Sequence, residues 1–112
     1  MDISITEMKR CQLVKVSGRI DSATAPELEK TLMDLIEAGK KHIVVNLADV
    51  DYISSAGMKA LLWALMKVRK LIPAGDVVIS QIKPKLKETF ELIGFTHLFK
   101  FFDDDLQAVG SF

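Results

Sequence analysis

The sequence is poor in the features that mark secreted, membrane-spanning and nucleic-acid-binding proteins. Cys11 is the single cysteine in 112 residues, so no internal disulfide can form. Lys plus Arg and Asp plus Glu number 15 each, and nucleic acids or anionic membranes usually attract proteins with a clear basic excess. The longest apolar-looking stretch, 58–72, contains four basic residues and is too short to span a bilayer. No signal-peptide pattern opens the chain. We therefore expect a cytoplasmic protein with no membrane and no direct nucleic-acid partner.

The chain has the size and composition of one globular domain. It is 49% hydrophobic and 27% charged, which is ordinary for a protein with its own core. Short β-rich runs alternate with helical patterns in the order β-β-α-β-α-β-α-β-α. Strands separated by helices pair in parallel, whereas a hairpin through 9–12 would pair the first two strands antiparallel. We predict a single α/β domain over residues 1–112, with a mostly parallel central sheet and an antiparallel N-terminal strand.

Residues typical of helix starts and ends, together with the spacing of apolar residues, predict the helices. Thr24 and Glu27 have the spacing of a capping box, and Gly39 is placed to end the first helix. Asp103 is expected to cap a short last helix, after a strand in LFKFF. The core positions predicted for the two middle helices are Met58, Leu61, Leu62, Leu65, Val68, Ile72, Leu86, Phe90 and Ile93.

A polar pair, Ser54 and Ser55, lies between an apolar strand and an apolar helix. The run HIVVNL, 42–47, is typical of a strand covered on both faces, and the polar residues from Asp49 onward indicate a loop. In such sheets, functional groups gather at the carboxyl ends of the strands. Ser55 is interpreted either as the N-cap of the helix or as a phosphate acceptor, since a helix start offers free amides and partial positive charge.

Trp63 falls outside the apolar stripe of the same helix. At about 100° per residue it points toward Lys59 and Met66. An outward Trp beside a Met is typical of a protein-contact surface. The alternative is that another element covers the ring.

The segment HIVVNLADVDYISSAGMKALL resembles the signature of STAS domains, and specifically of bacterial anti-sigma factor antagonists. In that family an LNL strand leads through a short loop to Asp-Ser-Ser/Thr-Gly and a helix. VSGRIDSATAPELEKTL is similar to the family's Gly-x-Leu/Ile-Asp segment and first helix, and SQIKPKLKETFELIGFTHLFKFFDD to its C-terminal part. The resemblance covers nearly the whole chain, with the motifs in the family's order and spacing.

The resemblance implies a role in partner switching. In that family the unphosphorylated antagonist binds an anti-sigma factor, which is a serine kinase, and so releases a sigma factor. The kinase phosphorylates the first serine of the turn, the complex breaks, and a metal-dependent serine phosphatase removes the phosphate. We therefore expect those two partners, no catalysis by the domain itself, and no cofactor or metal.

The resemblance assigns the family's functional positions to individual residues of this sequence. Ser55 matches the phosphorylated serine because it lies two residues before Gly57, and Asp21 in GRID matches the acid of the neighbouring loop where the kinase docks. Gly57 and Met58 match the start of the following helix, near the same contact. The expected partner surface comprises Asp21, Ser54, Ser55, Gly57, Met58 and, from helical geometry, Trp63.

Two departures from the family pattern leave alternatives open. Ser54 stands where the family has an Asp before the acceptor, and Ala56 follows the acceptor. The lost carboxylate removes a charge that could orient the acceptor, and Ser54 becomes a second candidate hydroxyl. The alternative function is a non-phosphorylated STAS interaction subunit of another complex, of the lipid-transport or stressosome-like kind.

Enzyme classes lack the residues they require. A serine hydrolase needs a base beside its nucleophile. Of the only two histidines, His42 lies at the start of a predicted strand and His97 just before the last strand, so neither lies at the carboxyl end of a strand with the serines. No Gly-rich phosphate-binding motif is present, and the first strands do not end in the acidic pair of a receiver domain. Asp49 and Asp51 are interpreted as solvated turn residues rather than a cation site. Cys11 is interpreted as a tolerated surface thiol.

Overall fold

A five-stranded mixed sheet with helices on both faces forms the structure, a computed structural model that describes residues 1–112. The elements are β1 (Asp2–Glu7), β2 (Gln12–Ile20), α1 (Ala25–Glu37), β3 (His42–Ile53), α2 (Ser55–Arg69), β4 (Asp76–Ser80), α3 (Pro84–Leu92), a 3₁₀ helix (Phe95–His97), β5 (Phe101–Phe102) and α4 (Asp105–Gly110). The strand order is β1-β2-β3-β4-β5, with β1 antiparallel to β2 and all other neighbours parallel. The predicted fold class and element order are confirmed. None of the helices combines the length and apolar character needed to cross a bilayer.

β3 is 12 residues long and extends well past the predicted strand at 42–47. Its second half pairs with the end of β2, from Ser17 opposite Asp49 to Ile20 opposite Ile53. One register shift precedes this stretch and one lies within it, between Gly18 and Arg19. The predicted loop from Asp49 onward is therefore wrong. Exposed Asp49 and Asp51 flank buried Val50, which is the period-two alternation of a strand with one solvated face.

The main core lies between the sheet and α1, α2 and α3. Its members include Val14, Val45, Leu28, Leu32, Leu61, Leu65, Val68, Leu86 and Phe90. Burial of each large apolar side chain contributes about 1.5–3 kcal/mol to folding. Most predicted core positions are confirmed, and Leu62 is half-buried against this core. The prediction is wrong for Ile72 and Ile93, which are 98% and 48% exposed. Both residues follow the last turn of their helix, so the helical phase no longer applies to them.

A smaller apolar cluster lies on the other face of the sheet, beneath α4. It contains Cys11, Val44, Val78 and Ala108. Cys11 is only 3% exposed, so its interpretation as a surface thiol is wrong, and burial raises the pKa of the thiol.

The N-cap of α4 is Asp104, whose Oδ1 accepts a hydrogen bond from the backbone N–H of Gln107 at 2.8 Å. The predicted cap, Asp103, lies one residue too early. The predicted strand LFKFF is also shorter than expected, because only Phe101 and Phe102 pair with β4.

Asp105 fastens α4 to the sheet through a buried polar network. Its carboxylate oxygens accept hydrogen bonds from Asn46 Nδ2 at 2.9 and 3.0 Å, and from the hydroxyl of Ser80. Asn46 and Ser80 are 1% and 0% exposed, and buried polar groups of this kind need partners. This network was not predicted, although Asn46 is the one polar residue inside the apolar run of β3.

Candidate functional site

The ends of β2 and β3 bring together the two segments predicted to contact a partner. Ile20 and Ile53 lie opposite each other in the parallel ladder. The backbone N–H of Ser54 continues the pairing by donating to the carbonyl of Ile20 at 2.7 Å. Asp21 follows Ile20, and Ser55 follows Ser54. The loop that begins at Asp21 and the serine pair therefore share one edge of the sheet.

Ser54, not Ser55, is the N-cap of α2. Its Oγ accepts a hydrogen bond from the backbone N–H of Gly57 at 3.2 Å, and its extended backbone precedes the helix. The side chain is half-buried. The interpretation of Ser55 as the cap is thus wrong by one residue. The hydroxyl of Ser54 already stabilises the start of α2 through its hydrogen bond with Gly57.

Ser55 is the first residue of α2 and is exposed. Its hydroxyl makes no hydrogen bond in the structure. The first amides of a helix lack intrahelical acceptors and carry a partial positive charge, and only that of Gly57 is satisfied by the cap. The first turn of α2 contains no acidic residue. This environment is compatible with an added anionic group on Ser55.

Gly57 and Met58 lie beneath the surface rather than on it. A Cβ on Gly57 would be 2.5 Å from Ile20 Cγ2 and 2.8 Å from Ile53 Cγ1, so only glycine allows this close approach. Met58 is 4% exposed and belongs to the main core. The expectation that these two residues touch a partner directly is therefore corrected, since they seat the start of α2 against the sheet.

Asp21 organises the loop that leads into α1. Its Oδ1 accepts hydrogen bonds from the backbone N–H groups of Ala23 and Thr24, both at 3.0 Å, and Thr24 Oγ1 lies 3.1 Å from the same oxygen. The amide of Thr24, then its hydroxyl, hold the pKa of Asp21 below its ordinary value. The capping box predicted for Thr24 and Glu27 is wrong, because the Thr24 side chain makes no cap hydrogen bond and serves Asp21 instead.

Asp21 keeps one oxygen free of backbone contacts. Its Oδ2 lies 4.0 Å from the Nε of Arg19, and the side chain is 37% exposed. The Arg19 guanidinium in turn stacks over the ring of Tyr52, 4.2 Å from its centroid. Sequence reasoning did not single out Arg19 or Tyr52, which face each other only because of the register of β2 and β3.

Trp63 is half-buried and packs against the main core, so the expectation that it points away from the core is wrong. The core-facing side of α2 is therefore wider than the apolar stripe of Leu61, Leu62 and Leu65. The Nζ of Lys67 lies 5.5 Å from the centroid of the indole ring. Met66 beside it is 50% exposed, and the exposed edge of α2 thus runs from Ser55 toward these residues.

The site is a surface and not an enclosed pocket. The clefts of the structure are lined by residues other than Asp21, Ser54 and Ser55. No group of three or more His, Cys, Asp or Glu side chains is arranged to hold a metal ion.

Sequence comparisons agree with this architecture. The model of the STAS domain family matches residues 2–108, and the chain belongs to that family. BtrV of Bordetella bronchiseptica is 30% identical over 99 residues, which cover 88% of this chain and 84% of BtrV. The anti-sigma-B factor antagonist of Staphylococcus aureus is 29% identical over 98 residues, covering 88% of this chain and 89% of the relative. The expected membership of the STAS family is confirmed.

Solved structures share the same fold. An anti-sigma factor antagonist from Mycobacterium paratuberculosis aligns with a TM-score of 0.86 at 23% identity, covering 98% of this chain and 92% of that one. The Bacillus cell fate determinant SpoIIAA in its phosphorylated form aligns with a TM-score of 0.75 at 14% identity, covering 98% of both chains.

Proposed function

We propose that this protein is an anti-sigma factor antagonist controlled by phosphorylation of Ser55. Unphosphorylated, it binds an anti-sigma factor serine kinase through the surface around Asp21, Ser54 and Ser55, flanked by Trp63, and so releases a sigma factor. The antagonist names of the Staphylococcus and Mycobacterium proteins support this role. The existence of a phosphorylated form of SpoIIAA, which has the same fold, supports the phosphate switch. These partners would place the protein in the cytoplasm.

The choice of Ser55 rests on one observation: the hydroxyls of Ser54 and Ser55 differ in exposure and in hydrogen bonding. In the kinase reaction, Ser55 Oγ attacks the γ-phosphorus of ATP, a P–Oγ bond forms, and the bond to the ADP oxygen breaks. A base of the kinase takes the hydroxyl proton. The exposed Ser55 can enter another protein's active site. Ser54 is half-buried and its Oγ accepts from Gly57, so its phosphorylation would remove the cap of α2.

Phosphate on Ser55 changes the partner surface without requiring the fold to change. It adds about −1.5 to −2 charges at neutral pH, on an edge that already carries Asp21. Burying this dianion in a packed interface adds both repulsion and desolvation. Each 1.4 kcal/mol of this cost weakens binding of the kinase about tenfold. A metal-dependent serine phosphatase would restore the binding form.

Intact-mass spectrometry tests the proposal. The protein is incubated with each anti-sigma kinase of its organism and ATP, alongside Ser55→Ala and Ser54→Ala. One added phosphate, absent only in Ser55→Ala, is the expected result. Loss only in Ser54→Ala would move the acceptor by one residue. No phosphate with any kinase would overturn the switch and favour a non-phosphorylated STAS interaction subunit.

A further inference from the structure

Lys59 lies one helical turn after Ser55 on the exposed edge of α2. We propose that Lys59 is the intramolecular counter-charge of phosphoserine 55, so that the phosphorylated protein holds its phosphate in an ion pair within α2. This inference rests on the proposed phosphorylation of Ser55. It assigns a regulatory role to a residue outside the predicted partner surface.

The helix fixes the spacing of the pair. Residues i and i+4 lie on one face, with Cβ atoms about 5–6 Å apart, and the order anion before cation along the chain is the favourable one. Both side chains are exposed, and Lys59 makes no ion pair in the structure.

The same spacing already forms an ion pair elsewhere in this protein. On the exposed face of α1, Lys30 Nζ lies 2.9 Å from Asp34 Oδ2, which is also an i,i+4 pair. That pair has the less favourable order, with the cation first, and a single charge on its anion. A phosphate dianion at Ser55 therefore has the stronger electrostatic reason to engage Lys59.

The charges around Ser55 favour this lysine over other partners. Lys59 is the only charged residue in the first two turns of α2, and Ser54 caps the helix without a carboxylate. From the neighbouring elements, Asp51 pairs with Lys83, and Arg19 lies beside Asp21. Asp21 faces the same edge as Ser55, with its Oδ1 held by the loop amides that follow it. Its carboxylate repels a phosphate, and Lys59 offsets that repulsion.

The test uses phosphoserine incorporated at position 55 during translation, so it needs no kinase. Phosphorus NMR follows the titration of the phosphate in the otherwise unchanged protein, in Lys59→Gln and in the matched control Lys67→Gln, three turns away from Ser55. Because a nearby cation favours the dianion, Lys59→Gln should raise the phosphate pKa by about 0.3 unit. The control should leave it unchanged. Molar salt should shrink the difference, since the pair is exposed.

An equal shift in both variants, or none in Lys59→Gln, would overturn the ion pair. This outcome is separate from the fate of the proposed function. If no kinase modifies Ser55, the switch fails while the NMR result for the installed phosphoserine still decides the role of Lys59. If kinases modify Ser55 and the titration is insensitive to Lys59, the switch stands without this counter-charge.

Discussion

Gly57 approaches Ile20 so closely that a Cβ on the glycine would lie 2.5 Å from Cγ2 of the isoleucine. The contact joins the first turn of α2 to the last residue of β2. Ile53, at the end of β3, lines the other side, and its Cγ1 would lie 2.8 Å from the same Cβ. The absence of a side chain at position 57 therefore sets how closely the start of α2, with Ser54 and Ser55, approaches the ends of β2 and β3.

Gly57→Ala should destabilise the protein, because a methyl group there requires the helix or the two isoleucines to shift. Overpacking of this kind costs about 1–3 kcal/mol in the free energy of unfolding, measured by urea denaturation. The matched control is Gly110→Ala, since nothing lies within 4 Å of a Cβ at that position. Equal stability of the two variants would show that the helix start is free to move.

Ser54→Ala and Ser55→Ala should distinguish the N-cap of α2 from the proposed phosphorylation site. Ser54→Ala removes the acceptor of the Gly57 N–H and should lower the free energy of unfolding by about 1 kcal/mol. Ser55→Ala removes an exposed hydroxyl without a hydrogen bond and should change it by less than about 0.5 kcal/mol. Urea midpoints of the two variants provide the measurement. The reverse order of stabilities would contradict the assignment of Ser54 as the cap.

Periodicity and topology rules were sufficient to predict the fold from the sequence. The alternation of strands and helices predicted the parallel sheet, and the i, i+3, i+4 pattern predicted buried Leu61 and Phe90. The helical pattern predicted burial wrongly where it was continued past the end of the helix, as at Ile72. The continuation of β3 beyond Leu47 was also missed, because polar residues at alternate positions were interpreted as a loop when they mark a solvated strand face.

Side-chain hydrogen bonds were the least predictable part of the site. Family resemblance brought Asp21 and Ser55 to attention, and the structure places both on one edge. Which serine caps α2 depends on a one-residue difference in where the helix begins, which spacing alone does not resolve. The burial of Cys11 and the hydrogen-bond partners of Asn46 depend on α4. This helix is the last element of the chain and packs against the sheet, far in sequence from both residues. Such long-range contacts leave little trace in local sequence.

Asp105→Ala should weaken the attachment of α4 to the sheet. The substitution leaves the buried Ser80 hydroxyl without an acceptor and leaves the Asn46 amide with only its 3.3 Å hydrogen bond to Gln81 Oε1. Buried polar groups that lose their partner cost about 1–3 kcal/mol. Urea denaturation gives the overall loss, and hydrogen exchange should show it first at the amides of α4. Asp103→Ala, which removes an exposed carboxylate two residues earlier, is the control. Similar effects of both substitutions would show that the network contributes nothing specific.

The hydrogen bonds to Asp21 should make stability depend on pH in acid. Thr24 and Ala23 lower the pKa of Asp21 in the folded protein, whereas the unfolded chain has an ordinary value of about 3.9. A depressed folded pKa contributes stability that is present above the unfolded value and is lost as pH falls through the folded value. The advantage of the wild type over Asp21→Asn should therefore be constant from pH 7 to about 5 and shrink below about pH 4.

Urea unfolding of the wild type and Asp21→Asn across this pH range measures that advantage directly. Asparagine retains an oxygen that can accept from Ala23 and Thr24, so the comparison isolates the charge rather than the loop geometry. Asp49→Asn is the matched control, because it removes an exposed carboxylate that accepts no hydrogen bond. An Asp21→Asn difference that stays constant far below pH 4, or an equal decline in the control, would contradict the role assigned to the carboxylate of Asp21. The expected decline would show that this loop of the proposed partner surface is held in place by a charge.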